Sequence, residues 1–143
     1  MKNKLIFEFS KEYTDADASM VNLLGGKGAN LAEMSNLGIS VPPGFTITTE
    51  VCKYFMENNE LPDSLESDID NALSKLEQYS GLSFGGRANP LLLSVRSGGR
   101  ISMPGMMDSI LNIGINDKNV DALASNFNDE RFALDSYRRL IQM

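Results

Sequence analysis

Histidine is absent from all 143 residues, tryptophan is absent too, and cysteine occurs once, at position 52. Without an imidazole the chain has no histidine base, no histidine metal ligand and no residue able to carry a phosphohistidine. A single cysteine excludes an internal disulfide and leaves no basis for a cysteine-ligated metal site. No apolar run approaches the length of a membrane span, and no succession of charged, apolar and small residues at the start reads as a leader peptide. These absences predict a reducing, cytoplasmic setting with no membrane partner. Chemistry on this chain must then use lysine, arginine, carboxylates, hydroxyls or backbone amides.

Basic charge is also in short supply, with 13 Lys and Arg against 19 Asp and Glu and a formal net charge of −6. Such a balance argues against binding nucleic acid or an anionic membrane through a broad surface, while leaving room for a local basic pocket. The 42% hydrophobic and 22% charged content is ordinary for a globular domain.

The patterning alternates short strands with amphipathic helices, which predicts an α/β (α+β) chain with a small mixed sheet. Leu5 to Phe9 reads as a strand, and Asp15 to Asn22 as a loop. A helix is expected from about Gly28, with Leu31, Met34 and Leu37 at helical spacing and Gly38 just past its end. Pro42, Pro43 and Gly44 turn the chain into a strand over Phe45 to Thr48, and Thr49 reads as an N-cap. The clearest helix has Leu65, Ile69, Ala72, Leu73, Leu76 and Tyr79 on one face, a capping-box-like start at Asp63 and Glu66, and a stop at Gly81. Leu91 to Val95 reads as a buried strand. The pattern predicts that these three strands share one sheet, with the Asp63–Tyr79 helix packed on it. Asp117 and Asp129 are candidate caps for two further helices. The last helix is still laying down apolar positions at Met143, so a cut through a longer chain is expected. The division expected is 1–115 as a first subdomain and 116–143 as the start of a helical one.

Two glycine-containing stretches are candidate sites. The first, Gly25-Gly26-Lys27-Gly28, sets a lysine at a helix start, where the backbone already carries partial positive charge and a cation is unfavourable without an anion beside it. Neighbouring glycines let backbone N–H groups approach an anion, and lysine adds a point charge suited to phosphate. A solvated lysine on a plain turn is the competing reading, because the spacing is not that of a Walker A loop. The second, Arg96-Ser97-Gly98-Gly99-Arg100, follows an apolar strand at its C-terminal end, a place where ligands gather in open α/β sheets. An arginine close to a buried layer calls for an anionic partner, either a structural carboxylate or a ligand phosphate. Ser102-Met103-Pro104-Gly105 continues as a turn that could also fold over phosphates. Asp108, Asp117, Asp121 and Glu130 lack metal-cage spacing, and Cys52 reads as packing rather than as a nucleophile.

Three segments together, LLGGKGANLAEMSNLGISVPPGFTITTE, LLLSVRSGGRISMPGMMDSILNIGIND and RFALDSYRRLIQM, resemble the N-terminal ATP-binding part of the pyruvate phosphate dikinase family. The related phosphoenolpyruvate synthases share the Gly-Gly-Lys turn and the Val-Arg-Ser strand end, but the MPGMMD stretch points to the dikinase. The resemblance implies an ATP-grasp nucleotide domain that works with a swivelling phosphohistidine domain and a pyruvate-binding barrel. ATP, phosphate and pyruvate then become AMP, pyrophosphate and phosphoenolpyruvate. It further implies Arg96 as the catalytic residue, and Lys27, Arg96, Ser102, Met103 and Gly105 as ATP-binding residues. Mg2+ is implied as well, on acidic ligands further along the family's chain, together with the remainder of the dikinase as partner and a homodimeric full-length enzyme. The isolated chain is expected to be inactive. Against this enzyme fragment stands a vestigial module that holds nucleotide weakly without catalysis.

Overall fold

A computed structural model describes residues 4–99, 101 and 108–143. The chain separates into two compact units, the first taking in residues up to Leu76 with the segment from Gly98, the second Glu77–Ser97 with the C-terminal part of the chain.

In the first unit, β1 (Ile6–Phe9) pairs antiparallel with β2 (Gly44–Ile47), Ile6 opposite Ile47 and Phe9 opposite Gly44. After β1, Thr14 forms a bridge back to Phe9, and a one-turn 3-10 helix (Ala18–Met20) leads directly into α1 (Val21–Asn36). The segment expected to be loop is thus largely structured. Leu24 and Ala32 of α1 are buried with Phe7 and Ala16, and Met20 and Leu23 pack against them. Apolar burial just ahead of the glycines is what draws the chain into helix early, overriding the turn signal. α1 ends as expected, with Gly38 at φ +72° and its N–H donating to the Ser35 carbonyl. α2 (Thr49–Asn58) follows β2. Its N-cap position is Thr48 rather than Thr49, whose hydroxyl instead donates to the Asn22 carbonyl at 2.7 Å. Cys52 is exposed on α2, not packed. α3 (Leu65–Ser80) buries Leu65, Ala72 and Leu76, begins two residues after Asp63, and stops at Gly81, φ +70°. Lys75 of α3 reaches Glu8 of β1 at 2.6 Å, and Glu8, by hydrogen bond and charge, holds the Lys75 ammonium above its ordinary pKa.

In the second unit, β3 (Ser83–Phe84) pairs parallel with β4 (Pro90–Leu91), and β5 (Leu93–Arg96) pairs antiparallel with β6 (Ser109–Ile113). α4 (Val120–Phe127) and α5 (Glu130–Gln142) complete it. Ile115, Val120, Leu123 and Ala133 form its core, with Leu92, Tyr137 and Leu140 packed on them. Asn119, fully buried at 0% exposure, ties the unit together: its Oδ1 accepts from the Asn116 N–H at 2.8 Å, and its Nδ2 donates to the carbonyls of Gly86 and Gly114. It also occupies the N-cap position of α4 that Asp117 was expected to fill. Asp117 instead accepts a hydrogen bond from the Tyr137 hydroxyl, which raises the tyrosine's pKa.

The mixed α/β class is as expected, but the single sheet is not. The described residues form three separate two-stranded ladders, and the Leu91–Val95 strand shares none with β1 and β2. Its apolar run is split at Leu92, which turns into the second unit's core. Leu91 therefore pairs with Phe84, while Leu93 and Val95 pair with Ile113 and Ile110. Val95 is 52% exposed, so apolar character there did not signify burial.

Asp129 does cap α5, its Oδ1 accepting the Phe132 N–H at 2.8 Å. Replacing it with alanine leaves that N–H dependent on water and should cost about 1 kcal/mol, with Asp129→Ser recovering most of it. Urea unfolding followed by helical circular dichroism measures both; an alanine variant as stable as wild type would remove the cap from the account.

Candidate functional site

The Gly25-Gly26-Lys27-Gly28 stretch lies inside α1, not ahead of it, and interrupts it. Gly25 has φ 68° and ψ 167°, a region that is essentially glycine-only, so the helix breaks there and restarts. The restart recreates a helix N-terminus in mid-element, with N–H groups that lack intrahelical acceptors. Gly26 uses one of them, donating to the Gly99 carbonyl at 3.1 Å. A Cβ placed on Gly25 would sit 3.3 Å from the Gly98 carbonyl oxygen and 3.4 Å from that of Gly99. The two glycine stretches of the sequence are thus in backbone contact, a pairing that no periodicity announces. Gly28 serves packing: a Cβ there would meet the Thr46 methyl of β2 at 2.8 Å.

Lys27, next after the clasped amide, is exposed, and its Cβ lies 3.3 Å from the position a Gly98 Cβ would take. Upstream, Asp17 caps the 3-10 turn that leads into α1. Its carboxylate accepts from the hydroxyl and the amide of Ser19, which hold it below the ordinary carboxylate range.

Arg96 closes β5, opposite Ser109, and is exposed. The expectation that burial forces an anionic partner on it therefore does not apply, since water solvates an exposed guanidinium. Ser102, Met103 and Gly105 lie outside the described residues. Among the described residues no group of three or more Asp, Glu, Cys or His could hold a metal ion, and no helix is long and apolar enough to cross a membrane. A cleft of about 680 Å³ in the first unit is lined by β1, α2 and α3 and does not include Lys27.

A kinked helix start with an exposed lysine and close backbone approach is suited to an anion such as a phosphate, and the sequence comparisons define the class further. Residues 21–83 match the family model described as the pyruvate phosphate dikinase AMP/ATP-binding domain, a match that includes Lys27 and stops short of Arg96. The chain is 55% identical over 141 residues to the pyruvate, phosphate dikinase of Rickettsia conorii, covering 98% of this chain and 16% of that protein. It is 53% identical over 132 residues to that of Entamoeba histolytica and 51% over 133 to that of Clostridium symbiosum, in each case 92% of this chain and 15% of the relative. On these matches the chain is similar to pyruvate, phosphate dikinases along nearly all of its own length, and it spans about a sixth of those relatives' length.

Proposed function

We propose that this chain supplies polyphosphate-binding residues to a pyruvate phosphate dikinase of ATP-grasp type. In the whole enzyme ATP, phosphate and pyruvate become AMP, pyrophosphate and phosphoenolpyruvate through a phosphohistidine outside residues 1–143. The observation that carries the reading is the match of residues 21–83 to an AMP/ATP-binding domain, with Lys27 exposed two residues past the Gly25 break. Lys27 places a mobile charge at a helix start whose own dipole favours the same anion. Arg96 lies two residues before Gly98 in sequence, and two residues of chain reach at most about 7 Å, so Arg96 can serve the same polyphosphate. Its planar fork spreads charge over phosphate oxygens as the phosphoryl group moves, which is positioning and electrostatics rather than covalent chemistry. Ser102, Met103 and Gly105 are assigned to nucleotide binding on the resemblance alone. The described residues do not make a metal site; Mg2+ is assigned to ligands outside this chain, and no step is routed through it.

The whole enzyme containing this chain should form AMP continuously only when phosphate and pyruvate are both supplied, and in a single turnover when pyruvate is left out. Purified residues 1–143 should release neither AMP nor pyrophosphate from ATP, since no histidine is present to receive the group. Luminescent detection of AMP tests both. Sustained AMP and pyrophosphate formation by the fragment would refute the assignment of the acceptor to another part of the enzyme.

A further inference from the structure

We infer that the backbone clasp between Gly25-Gly26 and Gly98-Gly99 is a positioning device for the nucleotide site, with Gly98 as the residue whose lack of a side chain sets its closeness. The inference rests on the ATP reading above, but concerns residues that need not touch nucleotide. Three features support it. The Gly26 N–H is the first amide after the break in α1, and it is held by the Gly99 carbonyl at 3.1 Å instead of facing water. Gly25 meets the 98–99 segment through two carbonyl oxygens, 3.3 and 3.4 Å from where a Cβ would sit, at a φ of +68° that favours glycine. A Cβ on Gly98 would lie 3.3 Å from Cβ of Lys27, the contact it makes among the described residues, so the segment is spaced directly from the lysine the site depends on.

Physically, the clasp converts a long excursion of chain into a fixed neighbour. More than seventy residues separate Gly26 from Gly99 in sequence, yet one hydrogen bond and a close backbone approach at Gly25 set their register. The segment that follows Arg96 and precedes Ser102 is thereby tied to the turn that presents Lys27. Small errors in such placement are costly, since a displacement of about 1 Å in a catalytic arrangement can lower rate by about a hundredfold.

The Gly98→Ala variant isolates this effect. Gly98 is not among the glycines with positive φ, so its φ does not itself exclude alanine, and among the described residues the added methyl crowds Lys27. In the whole enzyme we expect kcat/KM for ATP in the AMP-forming half-reaction to fall by about tenfold, with the melting temperature and the phosphohistidine–pyruvate exchange unchanged. Hydrogen–deuterium exchange of the wild-type peptide containing Gly26 should stay slow when ATP is added, because the clasp persists in the bound state. Gly98→Ala with wild-type ATP kinetics, or with both half-reactions and the melting temperature lowered alike, would overturn the positioning role. So would faster exchange at Gly26 on adding ATP. Lys27→Ala, measured alongside, separates the two levels: if it spares the ATP half-reaction, the ATP reading itself fails, whereas an impaired Lys27→Ala beside an unaffected Gly98→Ala removes the clasp inference alone.

Discussion

Lys27→Ala and Arg96→Ala, each made in the whole enzyme, should lower the rate of the ATP half-reaction by about a hundredfold or more, the loss typical of one preorganised charge at a reacting group. The other half-reaction, exchange between phosphohistidine and pyruvate, should keep its wild-type rate, because neither residue addresses pyruvate in this account. The two substitutions should also be less than additive when combined, since groups acting on one polyphosphate lose a shared function only once. Both side chains are exposed, so truncation leaves no cavity and no unpaired buried charge, and melting temperatures should stay near wild type. Rapid-quench measurement of AMP formation, with isotope exchange for the pyruvate side, separates these outcomes. Equal damage to both half-reactions would mean lost folding rather than lost phosphate contacts.

Gly25→Ala should damage both the stability of the first unit and the ATP half-reaction. At φ 68° and ψ 167° a residue with a Cβ is held in a sparsely populated region at a cost of about 1–3 kcal/mol. Its methyl would also press on the Gly98 carbonyl oxygen at 3.3 Å, with that of Gly99 at the edge of ordinary contact at 3.4 Å. The chain can relieve this by straightening α1 through the break, but that withdraws the Gly26 amide from Gly99 and turns Lys27 away from its present direction. The variant should therefore lose about 2 kcal/mol of stability and, where it still folds, ATP half-reaction rate as well. Denaturant unfolding and AMP formation measured on the same preparation check the pair. An alanine variant with unchanged stability would show that the left-handed backbone at this position is not required.

Legibility in the sequence followed the kind of signal involved. Helix ends governed by local chemistry were readable: Gly38 and Gly81 stop their helices at positive φ, and Asp129 caps α5 through its own carboxylate. Strands β1 and β2 were readable because an apolar run bounded by polar residues or by prolines has few other uses. The pairing of strands was not, because a short apolar run does not name its partner; at Leu92, packed on the second unit's core, the expected strand divides into β4, paired with β3, and β5, paired with β6. Asn119 stands at the α4 N-cap position without a side-chain capping bond, its amide committed instead to Asn116, Gly86 and Gly114, while Asp117 is taken up by the Tyr137 hydroxyl. In the site, the glycines around Lys27 were visible as a turn. The reason for Gly25 was not, since it lies more than seventy residues away at Gly98 and Gly99. Arg96 was singled out by an argument from burial that its exposure does not support; its assignment now rests on resemblance and on its place two residues before the clasp.

A structure of the whole enzyme with a non-hydrolysable ATP analogue tests the central claim most directly. The account predicts that the Lys27 ammonium and the Arg96 guanidinium each lie about 2.7–2.9 Å from phosphate oxygens of one bound polyphosphate, with their charged ends within about 10 Å of each other. Lys27 and Arg96 on opposite faces of the protein, or a polyphosphate held without either of them, would contradict it.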